Sequence, residues 1–199
     1  GRRGAAGVPV RESWRKVGWP PSDTHPVGCE DCAGPGGNLR GERGGGYRQF
    51  LHTLLGGRIA IAALSVGLAQ ACLDASLSYA KERRSFGVPI SKHQAVQFKL
   101  ADMAMETEIA RTMVYRAAVT YMNTDGKTTD EARMLAAMCK IYASETSKRA
   151  ADQAVQIHGW YGFMEDYPVA RYWRDVKINE IGEGTSEVQR ILIARLLGC

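Results

Sequence analysis

What the chain is short of narrows it first. Its five cysteines (Cys29, Cys32, Cys72, Cys139 and Cys199) are an odd set, which argues against a secreted disulfide framework. Cys29-x-x-Cys32 has no second pair. With His25 and His52 nearby it is a minimal zinc candidate, but two thiols in an irregular segment is the simpler reading, so no metal site is assigned. The pair also lacks the strand-to-helix setting of a redox dithiol. No apolar run reaches the ~18 residues of a membrane span. The start, Gly1-Arg2-Arg3-Gly4, has no signal-peptide apolar region. These absences lead us to expect a soluble protein that is not secreted, cytoplasmic or, in a eukaryote, in the mitochondrial matrix. No basic-aromatic module appears either. The net charge of +5 and pI near 9.0 come from Lys and Arg scattered among acidic residues. That sets nucleic acid aside and leaves a polyanionic small ligand as the natural partner for this sign of charge.

What is present falls into two regions. Residues 1–57 are rich in Gly and Pro and poor in periodicity, as in Pro20-Pro21, Gly34-Pro35-Gly36-Gly37 and Gly44-Gly45-Gly46. Short strands are expected around 8–10, 15–17 and 27–29, none able to form a core alone. The glycine runs neither follow a strand nor open a helix, so they are a weak dinucleotide fingerprint. From Arg58 onward the pattern is helix after helix. The first carries Ile59, Ala62, Val66, Ala69, Leu73 and Leu77 and ends near Arg83-Arg84. The second starts after Ser91 as N-cap and runs to about Met122, with Val96, Leu100, Met103, Ile109, Met113 and Ala117 on one face. After a turn at Asn123-Thr124-Asp125-Gly126, a third runs from about Thr129 to Ile157 and is stopped by Gly159. A shorter one covers about 168–178, and the last covers 185–197. Long helices with short loops imply an all-α fold, an antiparallel helical bundle. Methionines at helical spacing are core filler more often than a cofactor box.

The most informative stretch is Arg174-Asp175-Val176-Lys177-Ile178-Asn179-Glu180-Ile181-Gly182-Glu183-Gly184-Thr185-Ser186-Glu187-Val188-Gln189-Arg190. Glu183 stands between two glycines, and Thr185 and Ser186 are good N-caps for the periodic segment Val188, Ile191, Leu192, Leu196. A carboxylate on such backbone, just ahead of a helix, can swing into a cleft while the helix stays fixed, which suits a general base. The competing reading is a solvated glutamate favoured by the helix dipole.

That stretch resembles the active-site signature of the acyl-CoA dehydrogenases, roughly E-I-Y-E-G-T-S-E-x-Q-R, with Glu183 on the family's catalytic base and Gly182 in place of the usual Tyr. Two further segments carry the likeness. Arg83-Arg84-Ser85-Phe86-Gly87-Val88-Pro89-Ile90, followed by His93-Gln94, resembles the family's flavin loop. Gln156-Ile157-His158-Gly159-Trp160-Tyr161-Gly162-Phe163 resembles Q-x-x-G-G-x-G-[FY], with Trp160 where the second glycine belongs. The likeness covers roughly residues 47–198. Upstream, Gly18-Trp19, Ser22-Asp23-Thr24, Glu30-Asp31-Cys32 and Asn38-Leu39-x-Gly41-Glu42 look like the tail of the family's middle β-domain. The expected division is therefore residues 1–46, a β-domain remnant, and 47–199, the C-terminal helical bundle. The family's amino-terminal helical domain and most of its β-domain are not in this sequence, so the resemblance implies the C-terminal portion of an enzyme, or half of a site completed by another chain.

By that resemblance Arg83, Ser85, Phe86, Gln94, Gln156, Gly159, Thr185 and Glu187 would contact FAD. Arg58 and Gly184 would meet the acyl-CoA substrate, and Leu55 stands where the family often has Asp. A guanidinium fork suits a pyrophosphate, although Arg83-Arg84 would equally serve as dipole-complementing residues at a helix end. The implied reaction is α,β-dehydrogenation of an acyl-CoA thioester. Glu183 takes the α-proton, its backbone N–H helps hold the thioester oxygen, and hydride passes to the flavin. The loop at Arg83–Gln94 would serve a neighbour's flavin, implying a homodimer or homotetramer. The electron acceptor is left open. Two alternatives stand beside this reading. One is a non-catalytic oligomerisation module, to which Trp160 and Leu55 point. The other is a related flavoenzyme such as an oxidase-like or nitroalkane-oxidising relative, the latter disfavoured by Glu rather than Asp at position 183.

Overall fold

The computed structural model describes residues 12–124 and 128–199. The chain divides into two compact units, Gly1–Leu51 and His52–Cys199. In the first, the described residues before the helices are loop with one 3-10 turn, Gly36–Asn38. The strands expected at 15–17 and 27–29 are absent; Val27 forms a single isolated bridge. A strand needs a partner to take its backbone hydrogen bonds, and this segment closes on itself by other means. The Trp14 N–H donates to the Thr24 carbonyl (2.9 Å), and the Lys16 ammonium reaches the Ser22 carbonyl and the Thr24 hydroxyl. The expected strand at 8–10 lies outside the described residues, as do Asp125 and Gly126 of the expected turn.

The helices are α1 (Gly46–Glu82), α2 (Gln94–Met122), α3 (Asp130–His158), α4 (Pro168–Asp175), α5 (Lys177–Ile181) and α6 (Ser186–Leu196). A two-residue hairpin, β1 (Arg84–Ser85) with β2 (Val88–Pro89), joins α1 to α2. Three boundaries depart from expectation. Helix α1 begins twelve residues before Arg58, running straight through Gly56 and Gly57. Glycine in a helix costs about 1 kcal/mol against alanine, but here both positions lie under a neighbour. A Cβ on Gly56 would sit 3.5 Å from the Tyr121 hydroxyl, and Gly57 lies beneath the carboxylate of Glu183. Helix α2 begins at Gln94 with His93 as N-cap, because Ile90–Lys92 forms a 3-10 turn ahead of it. The single helix expected at 168–178 breaks at Val176 into α4 and α5. Thr129 caps α3 as expected, its hydroxyl accepting from the Ala132 N–H at 3.2 Å, and Gly159 ends it at φ +60°.

Helix α3 is central because its inward face is small. Ala132, Ala136, Ala143, Ala150 and Ala154 are all essentially inaccessible, letting α2, α4 and α6 pack closely on it, while α1 shares its buried side-chain clusters. Two buried clusters result. One gathers Leu55, Ile59, Val66, Val114, Leu135 and Cys139. The other gathers Leu73, Ile90, Leu100, Met103, Ile157 and Val169 nearer the hairpin. Helix α1 is long and apolar enough to cross a membrane by length and composition, with mean hydropathy 1.6 over its best eighteen residues, although no unbroken apolar run suggested it. Its buried residues supply both clusters, so that apolarity is used in packing.

The thiols divide by burial. Cys72 and Cys139 are fully enclosed, and desolvation pushes both up to about 12, whereas Cys29, Cys32 and Cys199 are exposed. Since the thiolate is the reactive form, a maleimide at neutral pH is expected to label three of the five cysteines in the native protein and all five after denaturation. Mass spectrometry of the labelled protein checks this, and native labelling of Cys72 or Cys139 would contradict the packing.

Candidate active site

The turn between α5 and α6 is built from two consecutive left-handed residues, Glu183 at φ +57° and Gly184 at φ +90°. Glycine takes this conformation freely; a glutamate does so only where its surroundings hold it there. The holding group is Gln189, which has no exposed surface. Its side-chain amide donates to the carbonyls of both Glu183 and Gly184, each at 3.1 Å. Gly184 is required twice over, because a Cβ there would also lie 2.5 Å from the Gln189 amide nitrogen. Gly182 is different. Its φ of −61° is ordinary and a Cβ would meet only the Ile178 carbonyl at 3.4 Å, so the missing side chain leaves space rather than meeting a backbone demand.

Beyond the turn, Thr185 caps α6 by accepting from the Val188 N–H (3.4 Å). The Glu187 N–H and the Thr185 hydroxyl hold the exposed Glu187 carboxyl below its usual range. The apolar face of α6 packs inward only in part. Val188 and Ile191 are about half exposed and Leu192 and Leu196 partly buried, while Ser186 and Gln189 are buried against α3. The carbonyls of a left-handed turn need donors, and turning Gln189 inward supplies them. Helix α6 is fastened to α3 by Arg190 and Glu145 at 2.6 Å. Lys140, fully buried on α3, donates to the Glu180 carbonyl at the end of α5 (3.0 Å). Burial lowers its pKa, opposed by Glu180 and Glu187.

These supports aim the half-buried Glu183 side chain at α1. A Cβ on Gly57 would lie 2.5 Å from its Oε2 and 2.8 Å from its Cδ, so the carboxylate rests where a side chain of α1 would be. Arg58, the next residue, is buried. Desolvation and then Arg133 lower its pKa, and Glu183 raises it. Its Nε has no partner within the described residues, nor have the Asn179 amide, the Ser186 hydroxyl and the Gln189 Oε1. The N–H groups of Glu183 and Gly184 likewise make no hydrogen bond within the described residues. One carboxylate, one buried cation and two unengaged backbone donors therefore converge at this turn. A base beside N–H donors is equipped to remove a proton adjacent to a carbonyl and to stabilise the oxygen that takes up the charge.

The other sequence-selected residues lie elsewhere. Arg83 follows α1, its guanidinium 5.6 Å over the Tyr161 ring. Ser85 hydrogen-bonds the His93 ring at 3.1 Å, and Phe86 sits at the hairpin tip with φ +49° and 98% exposure. Gln94, at the start of α2, and Gln156, in the last turn of α3, are exposed. Gly159 opens a 3-10 turn, Gly159–Phe163, that carries Trp160 and Phe163 about three-quarters exposed. The contact of Arg83 with Tyr161 shows that the 83–94 and 156–163 segments meet at one end of the bundle. Gly57 and Arg83 are separated along α1 by roughly 40 Å, at ~1.5 Å rise per residue. Glu183, Arg58, Gly184, Thr185 and Glu187 thus cluster at one end, and Arg83, Ser85, Phe86, Gln94, Gln156 and Gly159 at the other.

The second set suits a dinucleotide. It offers an exposed guanidinium for phosphate, uncovered aromatic faces for a planar ring, and an open backbone at Gly159, where a Cβ would meet nothing within 4 Å. The residues present therefore fit a flavin adenine dinucleotide. The sequence reading missed Gly57, Gln189 and Lys140. Gly57 had a signal, a glycine interrupting apolar periodicity; the other two are polar residues on faces that look incidental in a linear pattern.

The family model for the acyl-CoA dehydrogenase C-terminal domain matches residues 44–198. The chain belongs to the acyl-CoA dehydrogenase family. Among acyl-CoA dehydrogenase relatives, a probable acyl-CoA dehydrogenase of Bacillus subtilis is 52% identical over 191 residues, spanning 96% of this chain and 49% of that protein. The structure of butyryl-CoA dehydrogenase from Megasphaera elsdenii superposes with a TM-score of 0.92 at 41% identity, covering 98% of this chain and 50% of that one. An acyl-CoA dehydrogenase of Bacillus anthracis, solved in complex with FAD, does so with a TM-score of 0.92 at 32% identity, covering 98% of this chain and 36% of that one. The chain spans about half the length of the curated relatives it matches.

Proposed function

We propose that this chain provides the base-bearing helical portion of a flavin-dependent acyl-CoA dehydrogenase. The observation that carries this reading is the Glu183 carboxylate, set on left-handed backbone and seated over Gly57 beside buried Arg58. Glu183 takes the α-proton of an acyl-CoA thioester. The free Glu183 N–H is a donor to the thioester oxygen, so the charge left by proton removal meets a fixed dipole. Arg58 and Gly184 take the substrate side, Arg58 as a buried cation beside the carboxylate and Gly184 as the backbone that lets substrate approach. Arg83, Ser85, Phe86, Gln94, Gln156, Gly159, Thr185 and Glu187 hold FAD, which when bound accepts the hydride from the β-carbon.

The separation of the two residue sets along α1 supports an oligomer. A flavin held at Arg83 is far beyond reach of Glu183 in the same chain, so the hairpin end serves the site of another subunit and the assembly is a homodimer or homotetramer. The non-catalytic reading is disfavoured, because a module kept only for association has no need of a glutamate in a left-handed turn with a glutamine beneath it.

Several relatives are named for short acyl chains, and butyryl-CoA is the probe. The full-length protein is expected to purify with the oxidised-flavin absorption band and to lose that band when butyryl-CoA is added without oxygen. A protein that cannot be loaded with flavin, or whose flavin no acyl-CoA reduces, would overturn the proposal.

A further inference from the structure

We infer that Gln189 is a positioning residue for the base: its amide, clamped on the carbonyls of Glu183 and Gly184, fixes the direction in which the Glu183 side chain and the neighbouring N–H groups point. The inference rests on the reading of Glu183 as base and goes beyond it. The two carbonyls belong to successive peptide units, so a single donor group sets the orientation of both planes. In a trans peptide the N–H points opposite to the C=O. Tying both carbonyls inward to Gln189 therefore turns the N–H groups of Gly184 and Thr185 away from α6. Only the amide nitrogen can make these bonds, and its partner Oε1 stays buried and unengaged. A buried polar side chain with one end unpaired is retained where the other end has work that an apolar side chain could not do. Val188, next to Gln189 on the same helix, is left about half exposed while Gln189 is fully buried.

The test uses the FAD-loaded full-length protein and three variants, Gln189→Met, Gln189→Glu and Glu183→Gln. Methionine keeps the length of glutamine and removes the donor. The Gln189→Met variant should lose about 10²-fold in kcat, the size of effect an ångström-scale misplacement produces, with KM and flavin content unchanged. Backbone order parameters at residues 183–185 should fall while those of α6 stay unchanged, a readout independent of turnover. In the Glu183→Gln background the same substitution should cost nothing further, since both act through one group. Should the methionine variant fail to fold, Gln189→Glu serves instead. Its carboxyl can donate only when protonated, so its activity should show an alkaline limb, falling as the group ionises, that the parent enzyme lacks. An unchanged kcat, or losses of kcat, KM, flavin and melting temperature together, would overturn the clamp. If Glu183→Gln abolishes turnover while Gln189→Met does not, only this inference fails. If Glu183→Gln keeps turnover, the base reading itself is wrong.

Discussion

Replacing Glu183 by glutamine should leave the protein folded, yellow and unreactive. The two side chains have nearly the same shape, and the Gln189 clamp acts on the main chain, so the turn and the seat over Gly57 survive the exchange. What disappears is the carboxylate placed in that seat. Positioned proton transfer contributes about 10²–10⁴-fold to a rate, and the neighbour beside it among the described residues, Arg58, is a cation that cannot take the proton. Flavin content and thermal midpoint are expected to match the parent while bleaching by butyryl-CoA falls by at least the lower end of that range. Comparable bleaching in the variant, followed by stopped-flow absorbance, would show that another group takes the proton.

The second large effect separates stability from activity. In Gly57→Ala the new methyl would occupy the space of the carboxylate, 2.5 Å from Oε2 and 2.8 Å from Cδ. The atoms it meets are the free end of a flexible side chain, so the protein escapes the clash by swinging Glu183 aside rather than by bending α1. Alanine in a helix is favoured over glycine by about 0.5–1 kcal/mol. The melting temperature should therefore hold or rise, while kcat falls by about 10²-fold through displacement of the base. The opposite signs make the result informative. A variant that loses both would mean that Gly57 is there for helix packing, and one that loses neither would mean that the carboxylate works from a different position.

The bundle was legible in sequence because burial on helices leaves a period, and here Gly, Pro and the Thr129 cap mark most ends. Where expectation failed, a local rule met a stronger tertiary one. The start of α1 was hidden by Gly56 and Gly57, which weaken a helix in isolation but fit beneath Tyr121 and Glu183. The burial of Ser186 and Gln189 on α6 was hidden because periodicity weighs apolar residues, whereas Gln189 answers a polar obligation, the two carbonyls that it satisfies. Glu183 itself stood out through a motif and its flanking glycines. That the adjoining residues form one constellation, and that the Arg83 set lies at the far end of the same helix, could not be read from spacing. Both depend on how α1 spans the bundle.

The unbroken course of α1 from beneath Glu183 to Arg83 leaves little freedom for change in length. One inserted or deleted residue between them would turn one end by about 100° relative to the other and shift it by about 1.5 Å. Gly57 or Arg83 would then face the wrong way, whatever replaced the missing contact. Substitutions along this rod can be absorbed one side chain at a time, but its phase cannot drift, and natural variation in length should be confined to the connections on either side of it.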